Sequence, residues 1–568
     1  MSALDWVVMC GFSAFVVIYG VWKTGRNTSQ YLLANRSTAW PMVMLSVMAT
    51  QASAITFLST PGQAYVDGMR FVQFYFGLPI AMIILCYTAV PLFHRLKVFT
   101  AYEFLEQRFD LKNRLLGAFL FLIQRGLAAG FTILAPALIL SVLFNWNLSL
   151  TVIITGFFVV LYTTVGGSEA VGKTHLLQVI IITLGMGLAF ILVLRALPGD
   201  ISGLDAFRVA GQMGKMNVVT FDFDWRDRYT FWSGLIGGTF LALSYFGTDQ
   251  SQVARYLTGR TIRESRVGLL ANGIAKIPMQ FVILLLGTLV FVYYQFVMPP
   301  LFFNPVEEAK VRAGVHAQEY SRLEQDFARV HAEKQTMIRE SLSYGGAAVE
   351  SMRQLRSEEL RLRREAAGLV RATGPGADSN DTNYIFLNFV LSAMPAGLIG
   401  LILAAILAAS MSSTSAELNA LASTTVIDFY KRLIRSEGSD RHYLFVLRGA
   451  TVFWGLVAVG FALFVDAKGS LVEAVNILGS LFYGVILGLF MIAFFLKKVT
   501  GTPVFIAALL AEALVLACFF FTDIPFLWYN VIGCVGMMIL ALLLQKCLPG
   551  RPPHGGSDRR GAPVCAPN

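Results

Sequence analysis

Charged residues are scarce in this sequence of 568 residues. Only 14% of the residues are Asp, Glu, Lys or Arg, and 56% are hydrophobic, whereas about a quarter of the residues are charged in soluble domains. This scarcity excludes an ordinary soluble domain. The six cysteines have neither the spacing of a zinc site nor that of a disulfide framework, so they indicate no metal site and no stapled fold.

Long apolar stretches stand where charges are missing. They recur at about 4–22, 40–60, 70–93, 115–144, 148–165, 176–197, 230–254, 268–298, 397–425, 444–465, 470–496, 503–522 and 526–545. Nearly all of them reach the roughly 20 residues that a membrane-spanning helix needs. The sequence therefore predicts an all-α, polytopic membrane protein with about 13 transmembrane helices.

The basic residues indicate the orientation of the chain. Asp5 is the charged residue at the start of the first apolar stretch, and Lys23 and Arg26 follow that stretch. By the positive-inside rule, the N-terminus then lies outside and the C-terminus in the cytoplasm. Most of the basic residues behind the formal net charge of +10 thus mark the cytoplasmic side of the membrane. Because the membrane topology explains this charge, we expect no nucleic-acid partner. The location we predict is the plasma membrane, as the inner membrane of a bacterium.

One long charged segment, at 303–382, interrupts the apolar pattern. It predicts two solvated helices that form a hairpin, with a thin apolar stripe at Leu323, Phe327 and Val330. By the topology, the hairpin projects outside the cell. We interpret it as a stabilising appendage, and a hairpin that binds an extracytoplasmic partner or gates the protein is the alternative. The tail at 548–568 is predicted to be disordered.

The letters GSEAVGKT, at Gly167–Thr174, match the phosphate-binding loop of nucleotide-binding proteins. That loop needs a buried strand before it and an acidic metal ligand on the same side. Here the preceding residues form a membrane span, and the topology places Asp466, the candidate acidic residue, on the opposite face of the membrane. We therefore expect no nucleotide binding.

Arg125 lies inside an apolar stretch, about ten residues or roughly 15 Å from its start. A charge near the middle of a membrane is costly and needs a partner. The sequence offers Glu417 and Glu473 as internal partners, and an anionic substrate is the alternative. We favour the internal pair.

Four motifs are similar to those of the sodium/solute symporter family, which includes sodium-coupled carriers for glucose, proline, iodide and multivitamins. They are TAYEFLEQRF from Thr100, YTTVGGSEAV from Tyr162, FGTDQSQVARYLTGRT from Phe246 and AASMSSTSAELNALASTTVIDFYKR from Ala408. They occur in the order and spacing of that family, and the likeness covers about 39–498.

The resemblance implies a leucine-transporter-type inverted repeat of five plus five helices. Its transport core corresponds to 39–498, with the first repeat near 40–197 and the second near 230–497. One leading helix, at 1–24, and two trailing helices, at 499–547, flank this core.

A run of hydroxyl residues suggests an ion site. Ala409, Ser412 and Ser413 share one helix face at spacing i, i+3, i+4, where two hydroxyls can converge on a small hard cation. The resemblance implies that this cation is sodium. It also implies that the backbone carbonyls of Ala49 and Ala52 complete the site, at a break in the first core helix.

This sequence departs from the family pattern at two places. No Gly or Pro between Met42 and Thr60 marks the break, whereas Gly247 marks the break in the paired helix. We expect hydroxyls at Ser53, Thr56, Ser59 and Thr60 to satisfy the freed backbone groups. His175 stands where the family commonly has aspartate, so a carboxylate that could support a second sodium site is missing.

The expected function is sodium-coupled symport, in which a secondary active carrier imports a small organic solute by alternating access. The cofactor is a sodium ion, the other partners are the solute and the lipid bilayer, and no catalytic set indicates an enzyme. Two alternatives stay open: a non-transporting membrane sensor on the same scaffold, and an organic-anion carrier with different ion coupling. The substrate-binding candidates are Gln51, Thr56, Gln73, Arg125, Tyr245, Phe246 and Asn476.

Overall fold

The computed structural model describes residues 1–21, 36–344, 349–374, 377–465 and 470–548, without side-chain positions for 17, 19–21, 166–176, 344 and 349. Within these ranges the regular structure is helical, and Thr38 and Gly259 form an isolated parallel bridge. Several features predicted above lie outside the description: the side chains of Gly167–Thr174 and His175, Asp466, and the tail from residue 549.

The first half of the chain folds into α-helices of very different length. They are α1 Ala3–Val21, α2 Trp40–Gln51, α3 Ala54–Asp67, α4 Leu78–Tyr87, α5 Ala89–Leu96, α6 Glu103–Arg108, α7 Leu111–Phe144, α8 Leu148–Arg195, α9 Gly203–Gln212, α10 Gly238–Gly247 and α11 Gln250–Tyr256. A 3₁₀-helix, Gly68–Tyr75, and a π-helix, Ser233–Gly237, complete this half.

The second half also consists of helices. They are α12 Ile262–Phe296, α13 Pro305–Ala313, α14 Ala317–Tyr344, α15 Val349–Ala372, α16 Ile385–Ala393, α17 Leu398–Thr424, α18 Asp440–Phe464, α19 Leu471–Phe495, α20 Gly501–Phe521 and α21 Phe526–Cys547. A 3₁₀-helix, Thr382–Tyr384, precedes α16, and a π-helix, Thr425–Ile434, continues α17.

In the described part of the chain, ten stretches are long and apolar enough to cross a membrane. The predicted count of about 13 is therefore not confirmed. The predicted spans at 4–22 and 230–254 correspond to shorter apolar helices, Ala3–Val16 and Ser233–Gly247. The predicted span at 40–60 is interrupted, because α2 ends after 12 residues.

Two helix breaks stand at corresponding places, one near the start of each predicted repeat (40–197 and 230–497). The first separates α2 from α3 at Ala52 (ψ 71°) and Ser53, whose backbone is extended. The second separates α10 from α11 at Thr248 and Asp249, directly after Gly247. Asp249 caps α11, since its side chain accepts a hydrogen bond from the backbone N–H of Ser251.

The two ends of α8 pack against two neighbouring helices. In the stretch before residue 166, Gly156 packs against Val459 and Val160 against Gly455 of α18. In the stretch after residue 176, Gly185 packs against Ile402 of α17. The first stretch thus contacts α18 and the second contacts α17.

The leading helix α1 fixes the start of α17. The Asp5 carboxylate accepts hydrogen bonds from the backbone N–H groups of Gly397 (2.7 Å) and Gly400 (3.1 Å). A Cβ at Gly400 would lie 2.3 Å from the Asp5 carbonyl oxygen, so only glycine allows this approach. Asp5 therefore satisfies N–H groups that the first turn of α17 leaves free.

The charged insertion contains the two predicted helices, α14 and α15, which contact each other. Phe327 and Val330 of the predicted stripe are buried. His331 and Lys334 on α14 both bind the Glu359 carboxylate on α15. A further short helix, α13, was not predicted.

Candidate functional site

A small cavity of about 310 Å³ lies beside the first helix break. Four of the five predicted sodium ligands line it: Ala49 and Ala52 from the break, and Ala409 and Ser412 from α17. Gln178 of α8 lines it too. The structure therefore brings the α2 break and the α17 hydroxyl run to one place.

Among the residues that the structure describes, no group forms a hydrogen bond with two buried side-chain oxygens in the small cavity. They are the Ser412 hydroxyl (2% exposed) and the Gln178 amide oxygen (1% exposed). A buried oxygen without a partner costs about 1–3 kcal/mol, so both oxygens favour a ligand. The predicted ligand Ser413 is not among the lining residues, and its hydroxyl donates to the Ala409 carbonyl (2.8 Å).

The helix break frees backbone oxygens on the same cavity. Among the hydrogen bonds of the described residues, none goes to the carbonyl oxygen of Ala49 or Ala52, because Ser53 leaves the helix. One of the predicted hydroxyls satisfies a backbone group at the break, since Thr56 donates to the Gln51 carbonyl (3.3 Å). The lining side chains are uncharged, so the cavity offers neutral oxygens, which are the ligands that a hard cation accepts.

A larger cavity of about 950 Å³ lies next to the small one. Six of the seven predicted substrate-binding residues line it: Gln51, Thr56, Arg125, Tyr245, Phe246 and Asn476. Gln73 is not among the lining residues. Its amide donates to the Tyr229 carbonyl (2.8 Å) and accepts from the Thr220 N–H (2.9 Å), so its side chain joins two loop segments instead.

The guanidinium of Arg125 is bound by internal partners, as favoured from the sequence. It donates to Glu417 (3.1 Å), to Asp249 and to the Tyr483 hydroxyl (2.6 Å). Glu473, the other candidate, instead pairs with Arg228. These bonds use both terminal nitrogens, whereas the Nε–H of Arg125 is buried without a partner among the described residues, so Arg125 keeps one donor for a ligand.

Asp249 was missed as a partner of Arg125. The motif FGTDQ contains it, but nothing in the sequence relates it to a helix 124 residues earlier. The second helix break turns Asp249 toward Arg125, where its other carboxylate oxygen accepts from the Ser251 N–H (2.9 Å) and hydroxyl (2.7 Å). The remaining Glu417 oxygen accepts from Thr132 (2.8 Å).

Lys276 was also missed, although the sequence held a signal. It lies in the apolar stretch of α12, two residues before Pro278, where a cation needs a partner as Arg125 does. Lys276 lines the large cavity and is 2% exposed. Its ammonium lies 5.7 Å from the centre of the Tyr75 ring.

The first helix break lines both cavities with neighbouring residues. Ala49 and Ala52 face the small cavity, whereas Gln51 and Ser53 line the large one. Helix α17 does the same, with Ser412 on the small cavity and Glu417 on the large one. A ligand in either cavity therefore acts on the same two helices.

Hydrogen bonds connect α3 and the 3₁₀-helix Thr382–Tyr384 to the start of α19. This start lies beside the large cavity, which Val472 of α19 lines. The Asn383 side-chain oxygen accepts from the Ser59 hydroxyl (2.7 Å) and from the Leu471 N–H (3.0 Å). The Gln63 side chain accepts from the Ser470 hydroxyl. Ser59 was predicted to satisfy the helix break, and it instead connects α3 to the start of α19.

The sequence matches the family model described as the sodium:solute symporter family, over residues 31–326 and 365–510. These residues are more than half of the chain, and the chain belongs to this family. The unmatched residues between the two ranges lie in the hairpin of α14 and α15. The resemblance found from the motifs is thereby confirmed.

Three curated relatives are carriers by name. The chain is 27% identical to the sodium/sialic acid symporter SiaT of Proteus mirabilis, covering 94% of this chain and 93% of that protein. It is 28% identical to the sodium-coupled monocarboxylate transporter 1 of Xenopus laevis, covering 86% of this chain and 66% of that protein. It is 33% identical to the sodium-dependent multivitamin transporter of Oryctolagus cuniculus, covering 52% of this chain and 46% of that protein.

A solved structure shares the fold. It is described as the substrate-bound outward-open state of a Na⁺-coupled sialic acid symporter, with a TM-score of 0.73 and 23% identity over 96% of this chain and 98% of that one. The closed conformation of Mhp1, a nucleobase-cation-symport-1 family transporter, matches with a TM-score of 0.50 and 12% identity over 92% of this chain and 97% of that one. The family and the structural neighbours are transporters, not enzymes, and the chain is a multi-pass membrane protein.

Proposed function

We propose that this protein is a sodium-coupled symporter that moves a small organic solute by alternating access. Sodium occupies the small cavity and the solute occupies the large one. The observation that carries the proposal is the shared helix break: Ala49 and Ala52 line one cavity while Gln51 and Ser53 line the other. A carrier needs such a connection so that ion and solute favour the same conformation.

Sodium binding supplies partners to groups that lack them. Its ligands are the freed carbonyls of Ala49 and Ala52, the Ala409 carbonyl and the Ser412 hydroxyl, with Ser413 supporting Ala409 through its hydrogen bond. A cation held by both α2 and α17 stabilises the conformation in which these helices lie together. The same conformation places Gln51 and Glu417 around the solute.

Alternating access requires that one end of the large cavity opens while the other closes. The bonds from Asn383 and Gln63 to the start of α19 close one end. Because Val472 of this turn lines the large cavity, separating α19 from α3 exposes the cavity at that end. We propose that this end faces the outside of the cell.

The basic residues support that orientation. The Arg108 guanidinium donates to the carbonyls of Leu496 (3.1 Å) and Lys497 (2.8 Å), and Arg432 binds Glu106. Distant basic segments thus meet at one end of the bundle, which the positive-inside rule assigns to the cytoplasm. We propose a plasma-membrane carrier with the N-terminus and the hairpin outside, a core at 39–498, and two trailing helices.

The test compares the purified wild-type protein with the double variant Ser412→Ala, Ser413→Ala. Thermal unfolding is measured in sodium chloride and in potassium chloride at equal ionic strength. We expect sodium to raise the midpoint of the wild type, because an ion that binds the folded state stabilises it, and to leave the double variant unchanged. A double variant that sodium stabilises as strongly as the wild type contradicts the proposed site.

A further inference from the structure

The two cations that line the large cavity differ in their surroundings. Arg125 is bound by Asp249 and Glu417, whereas Lys276 has no Asp or Glu oxygen within ion-pair distance among the described residues. Its ammonium lies over the aromatic ring of Tyr75. Within the described residues, Lys276 is therefore the cation of this cavity whose charge no carboxylate balances.

The nearby carboxylates already have partners. Both Asp249 oxygens accept hydrogen bonds, one from Ser251 and the other from Arg125 and Tyr483. Both Glu417 oxygens do as well, from Arg125 and Thr132. Moving either carboxylate to Lys276 would leave Arg125 less well paired, which is costly in a buried site.

The charge of the site changes when the ion binds. The four side chains Arg125, Lys276, Asp249 and Glu417 sum to zero formal charge, and sodium in the adjacent cavity makes the sum +1. Because charges interact strongly at low effective dielectric, a monovalent anion beside Lys276 is favoured over a neutral solute. The cavity is lined by 23 residues, far more than a halide can contact, so the anion is organic.

From these observations we infer that the solute carries a carboxylate group and that Lys276 is its counter-ion. This inference rests on the proposed function and names the chemical class of its solute. The ammonium donates to the carboxylate, and the Thr56 hydroxyl and the Asn476 amide line the same cavity for the polar groups on the rest of the solute. Sodium and solute then neutralise each other's charge across the shared helix break.

The test uses the full-length protein and matched pairs of probes. Thermal unfolding is measured in sodium chloride with propionate, pyruvate, benzoate or N-acetylneuraminate, and with the neutral amide of each acid. We expect at least one acid to stabilise the wild type while its amide does not. An amide that stabilises as strongly as its acid overturns the inference, and so does a protein that responds to sodium but to none of the acids.

Variants then assign the charge to Lys276. In Lys276→Gln, the affinity for the stabilising acid should fall about thirtyfold, the change that corresponds to about 2 kcal/mol for one partner of a buried pair. Lys276→Arg should restore part of it, and Lys310→Gln in the exposed part of α13 should have no effect. An unchanged affinity in Lys276→Gln overturns the role of this residue.

The sodium response separates the two proposals. If sodium no longer stabilises the wild type over potassium, the proposed function fails. If sodium stabilises wild type and Lys276→Gln equally while neither prefers an acid to its amide, only the carboxylate inference fails.

Discussion

The two neighbouring cavities differ in the charge of the groups that line them. The small one presents uncharged oxygens from Ala49, Ala52, Ser412 and Gln178. The large one contains a buried ion-pair network around Arg125, and Lys276, which forms no ion pair with the described residues. The difference teaches that ion and solute need not share a charged ligand to be coupled. In this chain the shared element is a helix break, whose successive residues face different cavities.

The largest effect is expected on the stability of the protein, from the variant Asp249→Asn in the charged network of the large cavity. This change removes one partner of Arg125 and leaves the guanidinium underpaired in a buried site, which costs about 3–5 kcal/mol. Thermal unfolding of the purified protein should show a large drop in the midpoint. The matched control is Asp227→Asn, whose partly exposed pair with Arg70 is worth at most about 1 kcal/mol. Equal effects of the two variants would contradict the importance of the network.

The next largest effect is expected on sodium binding in the small, uncharged cavity, from the single variant Ser412→Ala. Loss of one hydroxyl ligand should weaken sodium binding by about tenfold to a hundredfold, if its contact with the ion is comparable to a hydrogen bond to a charged group, which is worth about 1.5–3 kcal/mol. A titration of the thermal midpoint with sodium measures this. Ser423→Ala on the same helix is the control, because its hydroxyl only donates to the Ala420 carbonyl (2.9 Å). A sodium affinity that Ser412→Ala leaves intact would remove this residue from the site.

A smaller effect is expected where the two cavities meet, from Thr56→Val. Valine keeps the shape of the side chain but removes the bond to the Gln51 carbonyl, which is worth about 1 kcal/mol. Because this bond steadies the break, sodium and solute affinities should both fall, each by a few-fold. A change confined to the solute affinity would show that the break does not couple the two cavities.

The smallest effect on the cavities is expected from the hairpin. Burial alone would raise the pKa of Glu359, but its hydrogen bond with His331 and the charge of Lys334 lower it below the ordinary value. A lowered carboxyl pKa gives stability that is present above the ordinary pKa and is lost as the pH falls through the folded value. Once corrected for the slower intrinsic exchange in acid, hydrogen exchange of α14 and α15 should therefore accelerate as the pH falls.

The variant Glu359→Gln should reproduce that acceleration at neutral pH, because it leaves Lys334 buried without its carboxylate. The exposed neighbour Glu358→Gln is the control. The sodium response of the core should stay unchanged in both variants, since the residues 327–364 lie outside the family match. A lost sodium response in Glu359→Gln would instead make the hairpin part of the transport machinery.

The sequence predicted local features well and distant pairings poorly. The i, i+3, i+4 spacing of Ala409, Ser412 and Ser413 is a property of one helix, but only tertiary packing decides that Ser412 lines the cavity while Ser413 does not. Arg125 was recognised as a buried charge from its depth in an apolar stretch. Its partner Asp249 could not be found, because the second helix break sets its direction.

Position along the chain was a weaker guide to the residues that line the solute cavity. Gln73 was predicted from its position to bind the solute, yet its side chain joins two loop segments. Lys276 follows the same physical rule as Arg125, and a uniform search for charges within apolar stretches would have found it. The count of spans differed because two predicted spans correspond to shorter apolar helices and the break at Ala52 divides a third.

The most direct test of this account is equilibrium binding of radioactive sodium to the purified protein. The wild type should bind it saturably, and unlabelled sodium but not potassium should displace it. Saturable binding should be absent from the double variant Ser412→Ala, Ser413→Ala and retained in Ser423→Ala. Equal saturable binding by the double variant and the wild type would contradict the claim that sodium is held between the α2 break and α17.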